Sequence, residues 1–558
     1  MKSNKPLKNQ TFNSQSLLTF VIIALIVFIG ISFFEKPSQR YFVPITGKQV
    51  IGTTPPTYYV DSASGSDTNP GTQTQPWRTI QKAADTMAAG DTAIVQAGAY
   101  DERVTITRSG SPGNLITFQA SGNAKVKAFT LTDRSYITIQ GFEVTHLGFN
   151  PEPSPGSSPT SSFFLTSSSN IQIIGNYIHD THSVCIRLSY AITPSTASNN
   201  TLIKNNTIAH CGAISPSEAS GVVVIGNSNL VEGNDISRIG EDFNLVLGGD
   251  FNVIRNNIWH DNFNADFPGS VAHIDGVQNY CSAGGLAFHY LLIENNTLYN
   301  APDVHSHFVI FRDIGNCGNS DVIIRHTTVR NLGSYFLHTG LTPPDGGRNI
   351  RIYNNDAIDI LVSQNPKAFG AIGYNGGSTG GKLINNIFYN TVRDGGWVYS
   401  VDDTSQLGFD AHNNLAYNTG YTGFWGLPIG SETGVILNQD PLFTGATDFH
   451  LQASSPAIDK GGYLTQVAAS DAGSGTQLIV NDAGFFQDGW AGVNPDWIAV
   501  GSAGNVAQIQ SIDYASNIIT LATPLSRVSG DPIFLFKGSS GQQVLYGSAP
   551  DIGAYEYT

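Results

Sequence analysis

Three stretches of the chain concentrate side chains that can move protons or hold a cation. "WHDNFNADFPGSVAHIDGVQNYC" (259–281) carries His260, Asp261, Asp266, His273, Asp275 and Gln278. "YNAPDVHSHFVIFRDIG" (299–315) carries Asp303, His305, His307, Arg312 and Asp313, and "HDTHSVCIRLS" (179–189) carries His179, Asp180, His182 and Arg187. Imidazole changes charge near neutral pH, and a neighbouring carboxylate sets its tautomer and tunes its basicity, so His and Asp together suit general acid–base work. A single His or Asp in a turn is more often turn chemistry than a site. The stretches gain meaning only if the fold brings them side by side.

A repeat supplies the mechanism. "NVIRNNIWHDN" (252–262) recurs as "NIQIIGNYIHD", "NTLIKNNTIAH", "NLVEGNDISR", "LLIENNTLYN", "NIRIYNNDAID", "GKLINNIFYN" and "FDAHNNLAYN". The second residue of each central pair is Asn176, Asn206, Asn234, Asn257, Asn296, Asn355, Asn386 or Asn414, and a degenerate copy, "VIIRHTTVRN", puts Thr327 there. Subtraction gives intervals of 23 to 39 residues. A unit that short cannot bury its own apolar face and must stack on its copies. Three residues before the marked position stand Ile173, Ile203, Val231, Ile254, Ile293, Ile324, Ile352, Leu383 and Ala411. Two after it stand Ile178, Ile208, Ile236, Trp259, Leu298, Val329, Ala357, Phe388 and Ala416. Polar Lys204, Glu232, Arg255, Glu294 and Arg325 fall between, an alternation that fits strands with one buried face. The paired Asn, or Gly-Asn, is a bend: Asn tolerates the left-handed backbone region, and stacked amides can bond from coil to coil. These asparagines are therefore structural.

On these repeats, over roughly 134 to 420, with an earlier copy in "YITIQGFEV", the sequence resembles the pectin-lyase-like superfamily. The resemblance implies an all-β, right-handed, single-stranded parallel β-helix spanning about 57–440. "YYVDSASGSDTNPGTQTQPWRTIQKAADTMAAGDTAIVQAGAYDERVTI" opens it, with Pro76 expected in the first turn of a cap helix, Ile80, Ala83, Ala84 and Met87 as its apolar face, and Gly90 as its stop. After residue 440 the rhythm ends. "DPLFTGATDFHLQASSPAIDKGG" and "APDIGAYEY" are similar to closing segments of such proteins, and about 471–545 is expected to be an inserted β module within 441–558.

Composition narrows the partners. The net charge is −15 with 13% charged residues, and no basic stripe is present, which disfavours nucleic acid. Residues 17–34, "LLTFVIIALIVFIGISFF", lie behind Lys2, Lys5 and Lys8. They are expected to act as an N-terminal anchor or signal within 1–35, followed by a linker at 36–56, and either places the remainder outside the cytoplasm. There disulfides become available, between Cys281 and Cys317 and between Cys185 and Cys211. Nothing else in the chain is expected to meet a membrane.

In a stacked coil the strands "SVCIRLS", "GVVVIGN", "NLVLGGD", "DGVQNYC", "HFVIFRD", "YFLHTG", "FGAIGYN" and "GWVYSVDD" form one lateral wall. Residues near 273–280 then lie beside 305–313. The resemblance implies a polysaccharide as substrate or ligand, and two reactions. In β-elimination from a uronate, Arg312 or Arg187 is the neutraliser or base, His273 or His307 assists, and Ca²⁺ often serves. In glycoside hydrolysis Asp275 pairs with Asp313 or Asp303. The chain departs from the family in lacking a clear acidic triad or a Lys on these strands. A passive glycan-binding surface protein is the third expectation.

Overall fold

A computed structural model describes residues 55–150, 160–189, 193–213, 215, 219–267, 274–281, 285–303, 305–312, 317–340, 346–362, 370–391, 397–401, 408–419 and 432–558. The expected anchor at 1–35 and almost all of the linker lie outside these residues. Among the described residues no helix is long and apolar enough to cross a membrane.

The repeat folds as a right-handed parallel β-helix in which three strands per coil build three lengthwise sheets. The first sheet contains Ser169–Ile174, Leu202–Lys204, Leu230–Glu232, Val253–Arg255, His289–Glu294, Ser320–Arg325 and Arg348–Tyr353, each parallel to its neighbour. Ile173, Ile203, Val231, Ile254, Ile293, Ile324 and Ile352 stand in one register column, and all lie in the core. The second sheet begins just past the paired asparagines. Ile208, Ile236, Trp259, Leu298 and Val329 form its core column.

The two members of each pair divide the labour. The first takes positive φ: 54° at Asn205, 56° at Asn256 and 52° at Asn295, with glycine at 175 and 233. This is the left-handed region that Asn and Gly tolerate. The second is buried and forms the ladder. Asn206 donates its backbone N–H and Nδ2 to Asn234 Oδ1 at 3.0 and 2.9 Å, and Asn234 donates both to Asn257 Oδ1 at 2.9 and 3.0 Å. Thr327 keeps the ladder unbroken, accepting from Asn296 N–H at 3.2 Å and donating its own N–H to Asn355 Oδ1 at 3.0 Å.

A second ladder stands four residues further on, outside the corner. Asn300 donates to Asp261 at 2.8 Å, Asn331 to Asn300 at 3.1 Å, and Asn390 to Asp359 at 2.9 Å. All five residues have positive φ.

At the N-terminal end the helix is Ile80–Thr86, capped by the Thr79 side chain, which accepts from Lys82 N–H. Pro76 lies outside it, a correction to the expected first turn: the preceding segment instead pairs Val60 with Trp77. Ile80, Ala83, Ala84 and Met87 are buried as expected.

The C-terminal module is a six-stranded antiparallel sheet of Thr465–Gln466, Gly473–Ile479, Trp497–Val500, Val506–Asp513, Ile518–Arg527 and Pro532–Lys537. Its edges meet through Ala468 N–H to Ile479 O at 2.9 Å and Asn481 N–H to Gln466 O at 3.0 Å, which closes it into a small barrel. The barrel packs on the outer face of the first sheet, where Val253, Leu292, Ile323, Tyr353 and Ile384 join Phe485, Phe486 and Trp490 in one core. One-face burial therefore fails for these coils: their strands are covered on both sides.

The polar positions of those strands form a column of alternating charge under the barrel: Lys204, Glu232, Arg255, Glu294, Arg325, in consecutive register. Lys204 pairs with Glu232 at 2.8 Å, Arg255 with Glu232 at 2.6 Å, and Arg325 with Glu294 at 2.8 Å. Asp496 of the barrel completes it, taking two bonds of 2.7 Å from Arg325.

Candidate functional site

The third sheet holds the lateral wall expected from the sequence. Its strands Ile186–Leu188, Val222–Val224, Asn244–Val246, Asp275–Tyr280, His307–Arg312 and Leu337–Thr339 stack in parallel. Asp275 stands opposite His307, Gln278 opposite Ile310 and Tyr280 opposite Arg312. The two stretches 32 residues apart in sequence are thus adjacent rungs. Two disulfides tie coils beside this wall, Cys185–Cys211 and Cys281–Cys317, both as expected.

Asp275 and His307 make the central contact. Asp275 Oδ1 lies 2.7 Å from His307 Nδ1 and also accepts the His307 backbone N–H at 3.0 Å. Asp275 is wholly buried and His307 is 8% exposed. A carboxylate on Nδ1 fixes the ring and its tautomer, with Nδ1 protonated, leaving Nε2 as the basic nitrogen. Among the described residues His307 makes no hydrogen bond through Nε2.

Two rings from the next coil complete the cluster. His338 stacks on His307 with centroids 5.6 Å apart, and Tyr335 stacks on His338 at 4.5 Å and on His307 at 5.8 Å. Burial pushes the His338 pKa down to about 3, and the charges of His307 and Arg312 push the same way, so this ring is neutral. Its buried Nδ1 has no hydrogen-bond partner among the described residues. Neither residue was singled out from the sequence. The signal was present in "YFLHTG", whose register against "HFVIFRD" places His338 opposite Ile310. Asp242 is the third omission: it is buried one rung before Asp275, where Phe243 N–H donates to Asp275 O at 2.8 Å.

Arg312 ends the His307 strand, five residues along, or about 16 Å of extended backbone. Its buried Nε has no partner among the described residues. His273 and Asp313 lie outside the described residues. Arg187 points outward on the same wall, but its column runs Arg187, Val223, Leu245, Gln278, three rungs or about 14 Å from Gln278. It does not join the Asp275–His307 pair, because each rung of a parallel sheet adds a fixed spacing.

Several candidates belong to the second sheet, facing elsewhere. His260 is held between Asp235 at 2.9 Å and Asp261 at 2.8 Å; burial opposes its charge, but the two carboxylates win and raise its pKa. His179 and His210 both bond Asp180, and Arg238 pairs with Asp266 at 3.6 Å. Asp303 accepts Asn264 N–H at 2.7 Å. These groups are satisfied by corner and ion-pair contacts. Among the described residues no group of three or more His, Cys, Asp or Glu is placed to hold a metal ion.

Comparison with known proteins adds context. A family model described as a protein of unknown function (DUF1565) matches residues 63–275. The uncharacterized protein YwoF of Bacillus subtilis (strain 168) is 29% identical over 135 residues, which is 22% of this chain and 28% of the relative. The match therefore spans less than a third of that relative's length. Among solved structures, pectate lyase Pel9A is similar with a TM-score of 0.47 and 15% identity, over 75% of this chain and 94% of its own. A rhamnogalacturonan lyase has a TM-score of 0.45 and 17% identity, over 64% and 87%. The GH136 lacto-N-biosidase from Eubacterium ramulus has a TM-score of 0.44 and 13% identity, over 64% and 67%. These likenesses assign no chemistry to individual residues of this chain.

Proposed function

We propose that this protein is exported and cleaves a uronate-containing polysaccharide by β-elimination on the outer wall of its third sheet. The observation that carries this reading is the 2.7 Å contact between Asp275 and His307, which leaves Nε2 as the base. In the reaction His307 Nε2 takes the proton α to the uronate carboxyl group. The electron pair forms the new C=C bond, the bond to the β-oxygen breaks, and the departing oxygen takes a proton from water, while His307 gives its own to solvent afterwards. Asp275 stabilises the imidazolium that forms. Arg312, at the far end of the His307 strand, is assigned to the carboxylate of a neighbouring uronate and not to the one that loses its proton. The two disulfides fit an oxidising compartment.

Hydrolysis through paired carboxylates is less well supported, since Asp275 is committed to His307 and Asp303 to a backbone N–H. The test incubates the full chain with polygalacturonate, alginate and neutral xylan, each with and without calcium, the cation that the resemblance brings. Absorbance from a new C=C bond is expected on a uronate polymer. Reducing ends without that absorbance make the protein a hydrolase, and binding without cleavage makes it a passive glycan-binding surface protein.

A further inference from the structure

We propose that the C-terminal barrel carries a second, non-catalytic site for an acidic sugar, built on Trp497, Phe536 and Lys537. The site shares with the reading of Asp275 and His307 only the class of polymer, a uronate-containing glycan, and rests on that reading for this choice alone. It is carried by one register row across the barrel wall.

Gln543, Lys537, Trp497 and Gln508 stand opposite one another in turn, on neighbouring antiparallel segments. Directly opposite residues share a face, and three spacings of about 4.8 Å make the row about 14 Å long. Alternation puts Trp497 on the side of Ala499, away from Ile498 and Val500 in the core shared with the coil. The strand Pro532–Lys537 is irregular here: Trp497 pairs with Lys537 but Ile498 pairs with Leu535, so Phe536 is an extra residue. Such a bulge re-aims the side chains beside it, and the adjacent Phe536 and Lys537 turn to one side. Lys537 Nζ lies 5.2 Å from the centre of the Trp497 ring and 5.4 Å from that of Phe536.

The fold leaves these groups over. Trp77 and Trp490 give their indole N–H to Asn69 O at 2.9 Å and to the Tyr514 hydroxyl at 3.0 Å. Trp497 is partly exposed, and among the described residues its N–H meets no acceptor. Lys537, also partly exposed, makes no ion pair among the described residues and donates no hydrogen bond from its side chain. Residues 497–512 hold no charged side chain, and residues 532–550 hold Lys537 alone, in a chain whose 43 acidic residues outnumber 28 basic ones. A solitary ammonium on two aromatic rings matches a sugar acid. The rings take its C–H face, the ammonium its carboxylate, and the indole N–H a hydroxyl. Gln508 and Gln543 give Nε2 to Pro495 O at 3.4 Å and to Leu545 O at 2.8 Å, which leaves each Oε1 to accept from further hydroxyls. The barrel sits on the first sheet and the reacting pair on the third, so this site holds the polymer without presenting it for reaction.

The experiment runs the full chain in native gels containing polygalacturonate, alginate or neutral xylan, with Asp275→Asn in place to stop cleavage during the run. Retardation is expected in at least one uronate polymer. Trp497→Ala and Lys537→Met, each added to that background, are expected to weaken it about tenfold, as the loss of one charge-assisted bond would. Lys537→Arg is expected to keep it; Met and Arg both leave the barrel core untouched, so their difference reads the charge and not the fold. No retardation, or retardation that survives both Trp497→Ala and Lys537→Met, overturns the site. Equal retardation in xylan overturns the acidic sugar as its ligand. Cleavage by the intact chain is read separately. Cleavage without any effect of the two variants on retardation removes the site and leaves the pair, and the reverse removes the pair and leaves the site.

Discussion

Removing Asp496 should loosen the C-terminal barrel from the coil, and the size of the effect can be worked out from the contacts. Three cations, partly exposed Lys204 and buried Arg255 and Arg325, face three carboxylates, Glu232, Glu294 and Asp496. Arg325 is fully buried. It gives two bonds of 2.7 Å to Asp496, one of 2.9 Å to Glu294 and one of 2.9 Å to the Tyr353 hydroxyl. Burial raises the Glu294 pKa, but Arg325 and Ser539 outweigh it and hold the carboxyl below its usual range, so Glu294 stays charged. In Asp496→Ala the buried Arg325 guanidinium keeps Glu294 but loses two of its charge-assisted bonds where water cannot replace them. Breaking one partner of a buried pair costs about 3–5 kcal/mol, and two lost charge-assisted bonds at about 1.5–3 kcal/mol each bracket the same figure. The assay is urea unfolding of the full chain, followed through hydrogen exchange of the barrel strands and separately through far-ultraviolet dichroism, because a solenoid can unfold in parts. The barrel transition is expected to move by the full amount. The triple variant Glu294→Gln, Arg325→Met and Asp496→Leu should recover most of the loss, since the buried carboxylate that Arg325 also pairs with is removed along with it. A loss below about 1 kcal/mol in Asp496→Ala would refute the view that this contact fastens the barrel.

Three further outcomes are expected. Asn257→Ala strips the acceptor used by Asn234 N–H and Nδ2 and the donor to Val231 O, stranding buried groups at about 1–3 kcal/mol each; Asn257→Thr should cost much less, because Thr327 already holds a rung, and thermal melting ranks the two. Burial pushes the Asp356 carboxyl up to about 8, against the Ala554 N–H that it accepts at 3.1 Å; the unfolded chain ionises this group near pH 4, so its contribution is full below that pH and is lost as pH rises through about 8. Asp356→Asn should therefore flatten the fall in melting temperature across that window. Asp275→Asn and His307→Gln should each cut kcat by about 10²–10⁴-fold with the dichroism spectrum unchanged, and full activity in either would dismiss the pair as reacting groups.

How much of this was legible depends on the distance over which each interaction acts. The coil was readable because Asn pairs recur with flanking apolar residues, and each copy repeats the same local problem of turning a corner. Adjacency of Asp275 and His307 followed from that periodicity alone, since their offset is one coil. The docked barrel had a signal that went unread. "NLVE", "NVIR", "LLIE" and "VIIR" are apolar at consecutive positions, the pattern of strands covered on both faces, and Leu230, Val253, Leu292 and Ile323 are the residues that meet the barrel or its edge. The alternating signs of Lys204, Glu232, Arg255, Glu294 and Arg325 were equally plain, but their pairing exists only between coils.

The site was harder for a related reason. Counting His and Asp by stretch weighs His260, His179 and His307 alike, yet the fold sends the first two to the second sheet, where Asp235, Asp261 and Asp180 consume them. What separates His307 is that its carboxylate is buried on the neighbouring rung and leaves one ring nitrogen over. Tyr335 and His338 escaped notice because stacking between rungs leaves no trace in local composition. The outer apolar cluster of Val223, Ile225 and Leu247 escaped because "GVVVIGN" and "NLVLGGD" look like ordinary buried strands. Once the coil fixes which residues face outward, that outward hydrophobicity becomes informative: it marks where the segments carrying Ala197 and Leu286 cover the sheet.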